Sequence, residues 1–188
     1  MFKVMIEIRK TLLATFPPDT LNTTAGDAMM LRILIEATRA KRGVEVGTNA
    51  GYGAINMGIA FERTGGRLYS VEIDPLKSEA AKQNLEKVGL EKTVSVIEGD
   101  ALTVLHALEG QFDFVFIDAR KKDYLKYLRI LEPKLERGAT VVADNVIVCA
   151  EDMPDFLEYI QSSSDYDTVI IRASMEKNDG MSVSFKIR

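Results

Sequence analysis

Two hydrophobic periods alternate along this chain. From Asp27 to Ala40, the apolar residues Met30, Ile33, Leu34 and Ala37 fall at i, i+3, i+4 and i+7, which predicts a helix with one apolar stripe running towards Gly43. The short apolar run "VEV" follows at once and reads as a strand. Beyond it the pattern changes type in turn: "RLYSVEI" as strand, "PLKSEAAKQNLEKVG" as helix with Ala81, Leu85 and Val88 in register, and "TVSVIE" as strand. "ALTVLHALEG", "YLKYLRILEPKL" and "MPDFLEYIQ" then read as helices, separated by the strands "FDFVFID" and "ATVVAD". Tyr124, Tyr127, Leu128 and Leu131 form a stripe assigned to the core. Strands separated by helices pair in parallel through right-handed crossovers. The expected fold is therefore α/β, a doubly wound, mostly parallel seven-stranded sheet with helices on both faces. The last two strands, "YDTVIIR" and "MSVSFKI", have only "ASMEKNDG" between them, too short for a crossover, so they should close the sheet as an antiparallel hairpin. The opening "MFKVMIEIRKTLLATFPPD" reads as an amphipathic helix ended by Pro17 and Pro18. Charges within its apolar pattern exclude a signal core or a membrane span.

Length and composition narrow the functional classes. A chain of 188 residues with 46% hydrophobic content makes one domain, residues 1–188, with the N-terminal helices of residues 1–40 covering the site or a partner. A net charge of -4 argues against nucleic acid and anionic membranes as partners and favours a small molecule. The single Cys149 cannot form an internal disulfide, and one histidine, His106, cannot complete a Cys/His zinc site; a reducing, cytoplasmic setting is expected.

Ligands of such sheets bind at the carboxyl ends of the strands, near the switch in strand order. Here those ends are Gly47, then Glu72 and Asp74, then Gly99 and Asp100, then Asp118, and finally Asp144 with Asn145. Each alone also reads as a turn or helix cap. Together they call for a hydroxyl-rich or cationic ligand, a metal, or both. "VEVGTNAGYG" sets Gly47, Gly51 and Gly53 between a strand and a helix, with a spacing that departs from the G-x-G-x-x-G of dinucleotide binders. Glu45, a carboxylate inside an apolar strand, would repel a pyrophosphate. Glu72 is placed to accept hydrogen bonds from ribose hydroxyls, and Asp100 with Ala101 to flank an adenine. S-adenosylmethionine, with ribose, adenine and a cationic amino-acid end, would use all of these groups.

The succession "VEVGTNAGYG", "VEID", "EGDAL", "FDFVFIDARKKDY" and "VVADNV" resembles the class I S-adenosylmethionine-dependent methyltransferases, in particular the metal-dependent catechol and caffeoyl-CoA O-methyltransferases and their bacterial relatives. The likeness covers roughly residues 22–188. It implies a Rossmann-like methyltransferase fold, an O-methyltransferase activity on a small aromatic with adjacent hydroxyls, and a homodimer. It also implies cofactor contacts from Ala25, Glu45, Gly47, Thr48, Gly51, Gly53, Glu72, Asp100, Ala101 and Asp118. Asp118, Asp144 and Asn145 would hold a divalent cation, Mg²⁺ by the hardness of these oxygen donors. Lys121 would be the general base, since a lysine near a bound cation has its ammonium form disfavoured. Lys121, Asn145 and Glu176 would meet the acceptor, although Glu176 reads equally well as a solvated hairpin residue. Arg120 stands where the mammalian catechol enzymes carry a tryptophan and Cys149 where they carry a proline, departures that count against catechol itself. Arg120 and Lys122 either favour an anionic acceptor or are solvated. Competing readings are a metal-independent methyltransferase on a nitrogen or a macromolecule, a non-catalytic nucleoside-binding scaffold and, least favoured by the glycine spacing, a nicotinamide oxidoreductase.

Overall fold

The computed structural model of the chain describes residues 2–17, 22–173 and 177–188, so Glu176 lies outside the described residues. Helix α1 (Phe2–Leu13) and helix α2 (Ala25–Thr38) precede β1 (Arg42–Val46), α3 (Tyr52–Thr64), β2 (Arg67–Glu72), α4 (Pro75–Lys87) and β3 (Val94–Glu98). Helix α5 (Ala101–Ala107), β4 (Phe112–Ile117), α6 (Tyr124–Leu131), β5 (Leu135–Ala143), α7 (Pro154–Ser162), β6 (Tyr166–Ile171) and β7 (Met181–Lys186) complete the chain. The strands form one seven-stranded sheet in the order β3-β2-β1-β4-β5-β7-β6. The first five pair in parallel, and β7 runs antiparallel to β6, as the short connection between them requires, and also to β5.

Alternation along the central strands feeds two cores. Phe114 and Phe116 of β4 point to the face covered by α2, α3 and α4, where they meet Leu31, Ile35 and Phe61. Val115 and Ile117 point to the face of α5, α6 and α7, with Tyr124, Leu128 and Phe156. Ala81, Leu85 and Val88 are buried as their register predicts.

The stripe expected on the second helix is corrected. Its buried residues are Asp27, Ala28, Leu31 and Ile35, with Met30 and Leu34 of the expected stripe partly buried against the same core, whereas Ile33 is 59% exposed and Ala37 lies on the surface. Apolar residues occur on both sides of this helix, so periodicity alone admits two registers and packing against α3 selects one. The helix starts at Ala25, two residues before the expected Asp27, because Thr24 caps it, its Oγ1 accepting from Asp27 N at 3.2 Å. Arg39, in a left-handed conformation, ends it.

Helix α1 packs against α3 and α4 through one buried cation. Arg9, 9% exposed, donates both terminal nitrogens to the Glu62 carboxylate at 2.7 and 2.9 Å and its Nε to Val88 O at 3.1 Å. Phe16, beyond the helix, meets Tyr52 edge-on with ring centroids 5.4 Å apart. Among the described residues no helix is long and apolar enough to cross a membrane. Replacing Arg9 by Met should lower the free energy of unfolding by about 1–3 kcal/mol, mostly through the unpaired Val88 carbonyl because Glu62 is part-exposed; urea titration measures it.

Candidate active site

Strand order reverses between β1 and β4, and the ladder continues one residue past each strand on both sides of that point. Gly47 N donates to Val71 O at 3.0 Å, Gly99 N to Glu72 O at 2.8 Å, Asp118 N to Val46 O at 2.8 Å and Asp144 N to Ile117 O at 3.0 Å. The residues that follow the strands are thereby held in one row, at the floor of a cavity of about 600 Å³. Gly47, Glu72, Asp100, Ala101, Asp118, Lys121, Asp144 and Asn145 all line it. Gly47 is dictated by contact as well as by its φ of +102°: a Cβ there would stand 2.1 Å from the Asp118 carbonyl oxygen.

At one end, the Glu72 carboxylate accepts Asn49 N on Oε2 at 2.7 Å and Asp74 N on Oε1 at 3.0 Å, which fixes its plane and leaves a lone pair on each oxygen for a ligand hydroxyl. Asp100 caps α5, Oδ1 accepting from Leu102 N at 2.9 Å, and Asp74 caps α4 in the same way. For Asp74 the cap accounts for the residue; Asp100 caps and also lines the cavity.

Other expected cofactor residues sit behind this surface. Glu45 is 1% exposed and Thr48 2%. Ser70 Oγ donates to Glu45 Oε2 and pairs with Thr48 Oγ1 at 2.5 Å. Gly53, at the start of α3, lies over Glu45: a Cβ there would fall 2.7 Å from Oε1. Gly51 caps α3 with a φ of +97°, and Ala25 opens α2 on the surface. Neither lines the cavity.

The opposite end carries the charged cluster. Lys121 Nζ donates to Asp118 Oδ1 at 2.8 Å and to Tyr124 Oη at 2.7 Å, and Tyr124 Oη donates to the Asp144 carbonyl at 3.2 Å. A single turn of 3-10 helix, Lys121–Asp123, swings the lysine back over the strand tip. Asn145 takes a φ of +60°, a left-handed conformation that Asn tolerates better than most residues, and its N–H is held by Asp144 Oδ1 at 2.8 Å. Its Nδ2 donates to Asp179 Oδ2 at 2.9 Å. Burial works against the Asp179 charge, but the hydrogen bonds from Asn145, Val148, Gly180 and Ile147 prevail and hold its carboxyl below the ordinary range. Burial and then the neighbouring Asp118 carboxylate push Asp144 the other way, above its ordinary range. Arg120 lines the cavity with its side chain 76% exposed and lies 3.6 Å from Asp123; Lys122 is exposed and outside it.

Two residues of this cluster escape the sequence patterns. Tyr124 reads as core, and it is fully buried, but its hydroxyl reaches Lys121 one helical turn back. Asp179 sits in a turn-like "NDG" with nothing local to mark it.

A family model described as O-methyltransferase matches residues 2–159 of the chain. The chain belongs to the O-methyltransferase family. It is 36% identical over 135 residues to a catechol O-methyltransferase of Niastella koreensis, a match covering 68% of this chain and 59% of that protein. It is 30% identical over 180 residues to caffeoyl-CoA O-methyltransferase 1 of Zea mays, covering 90% and 69%. The chain thus spans less than two thirds of the length of the Niastella relative. Among solved structures, the O-methyltransferase TomG from Streptomyces achromogenes, in complex with SAM, superimposes with a TM-score of 0.84 at 26% identity, covering 98% of this chain and 89% of that one. The Rossmann-like methyltransferase fold expected of the family is the fold observed, with its C-terminal antiparallel strands.

Burial pushes the Glu45 carboxyl up from its ordinary 4.5 to about 8, against the opposing pull of the Ser70 hydrogen bond. Below about pH 8 the folded chain keeps a proton there that the unfolded chain has released above about pH 4.5, so stability falls as pH rises through that window. Glu45→Gln, which keeps an acceptor for Ser70, should melt on the order of 5 °C higher than the wild type at pH 8 in metal-free buffer, the gap closing towards pH 4.5; calorimetry across that range measures it.

Proposed function

We propose that this chain is an S-adenosylmethionine-dependent O-methyltransferase that uses a divalent cation, Mg²⁺ by its donor set, and methylates a small aromatic acceptor with adjacent hydroxyls. One observation carries this reading: a single cavity has Glu72 and Asp100 at one end and Asp118, Lys121, Asp144 and Asn145 at the other. Membership of the family supports the reaction class. The catechol and caffeoyl-CoA enzymes among the relatives support the acceptor class, and the SAM complex of TomG supports the cofactor.

The donor set fits a hard cation. Among the described residues no three His, Cys, Asp or Glu side chains gather as a metal cluster, so the protein donors would be two carboxylates and an amide oxygen, leaving positions for water and acceptor oxygens. Burial and the neighbouring Asp118 carboxylate both disfavour the charge of Asp144, and a cation held by both carboxylates would relieve that cost. Bound there, the ion would supply Lewis acidity towards the acceptor hydroxyls, and S-adenosylmethionine would supply an electrophilic methyl group.

The chain's own groups do the rest. Glu72 receives the ribose hydroxyls on oxygens already oriented by Asn49 and Asp74. Gly47 lets the backbone lie close to the cofactor, and Glu45, beneath Gly53, sets a carboxyl under its cationic end. Lys121 takes the acceptor proton at Nζ, held in place by Tyr124 from below. Because methyl transfer is a direct displacement, alignment of the attacking oxygen matters more than covalent help from the protein. Val46, Val71, Val148 and Cys149 add apolar surface to the cavity wall. A homodimer belongs to the same reading, supported by Met29 and Ile33, which α2 leaves 50% and 59% exposed.

Purified protein incubated with S-adenosylmethionine and a panel of catechols should turn over with Mg²⁺ and stop with EDTA. Turnover indifferent to chelation would remove the cation from the mechanism. Lys121→Met should lower kcat by roughly 10²–10⁴-fold with cofactor affinity within about twofold of wild type by calorimetry. Asp144→Ala should abolish cation-dependent turnover while sparing cofactor binding, and equal loss of both would show that its role lies elsewhere.

A further inference from the structure

The charged cluster depends on a residue far from it in sequence. Asp179, 8% exposed, stands two residues before the start of β7 and lines the same cavity as Asn145. Its Oδ1 accepts from Ile147 N at 3.1 Å, Val148 N at 3.1 Å and Gly180 N at 2.8 Å, while Oδ2 accepts from Asn145 Nδ2 at 2.9 Å. Val146 N donates to the Gly180 carbonyl at 3.0 Å, so segments 179–180 and 145–148 are laced together along their backbones. Gly180 permits the approach, since a Cβ there would stand 2.9 Å from Ile147 Cδ1 and 3.0 Å from Ile171 O.

We propose that Asp179 is the positioning residue that decides which end of the Asn145 amide faces the cavity. An ionised carboxylate can only accept hydrogen bonds, so the amide must turn its N–H₂ to Asp179 and its Oδ1 away. A carboxamide is nearly symmetric in shape, and without such a neighbour either end can point inward. Only the oxygen end is a ligand for a hard cation, so Asp179 converts an ambiguous side chain into a defined donor. Its role is indirect: it acts through Asn145. This deepens the cation-dependent reading above and rests on it.

An exchange of groups tests the assignment. Asp179→Asn keeps one carbonyl oxygen for the N–H groups of Ile147, Val148 and Gly180 but sets an N–H₂ opposite that of Asn145. Relief comes from turning the Asn145 amide over, which sends its Nδ2 towards the cavity. In calorimetric titrations with Mn²⁺ as the probe, Asp179→Asn should weaken binding about 10–100-fold relative to wild type, with S-adenosylmethionine affinity within about twofold. Equal Mn²⁺ affinity in wild type and Asp179→Asn, or a loss of S-adenosylmethionine affinity as large as the loss for Mn²⁺, overturns the proposal. A wild type that binds no Mn²⁺ at all removes the cation reading itself, and this proposal with it. Should Asp179→Asn fail to fold, the wild type still decides: the Asn145 side-chain N–H₂ resonances, assigned by their loss in Asn145→Asp, should keep one slowly exchanging proton when Mg²⁺ is added. Exchange of both protons at the free-amide rate overturns the assignment.

Discussion

The parallel ladder that joins β4 to β1 on one side and to β5 on the other sets where every group of the candidate site can be. Val46 pairs with Ile117 and Ile117 with Ala143, so the residues after these strands emerge at the same height. A slip of one residue in either pairing would turn Asp118 or Asp144 to the opposite face of the sheet. The register is strongly specified because both faces are buried: Phe114 and Phe116 fill one core and Val115 and Ile117 the other. The same constraint explains Gly47, because strands this close leave no room for a side chain beside the Asp118 carbonyl.

Around that row the molecule places charge where water is scarce. Glu45, Asp144 and Asp179 are each under a tenth exposed, yet their surroundings differ. Glu45 has a hydrogen bond from Ser70 but is too deeply buried for that bond to restore an ordinary pKa. Asp179 is surrounded by N–H donors and stays ionised at lower pH than a free carboxylate. Asp144 lies between these cases, with one backbone donor and a like-charged neighbour. Burial, hydrogen bonding and charge repulsion thus give three acidic side chains three different protonation behaviours.

The βαβ rhythm, the two closing antiparallel strands and the acidic or glycine strand ends follow from period, connection length and residue type, all local properties. Helix α2 marks the limit of such inference. With Met29, Met30, Leu31, Ile33, Leu34 and Ile35 in succession, hydrophobicity is present on more than one face, and only contact with α3 selects Leu31 and Ile35 for the core.

For the site, the glycine, acidic and amide residues after each strand were legible because they end the apolar runs that read as strands, and their expected roles came from resemblance to a family. Their mutual arrangement was not. Asp179 lies 34 positions from Asn145, and Tyr124 is 20 from Asp144. Sequence alone determined which strands end in which functional groups. The tertiary structure decided which of those groups line a common cavity, which lie behind it, and which distant carboxylate accepts from the Asn145 amide, because hydrogen-bond partners across a fold are set by strand register and loop packing and not by separation along the chain.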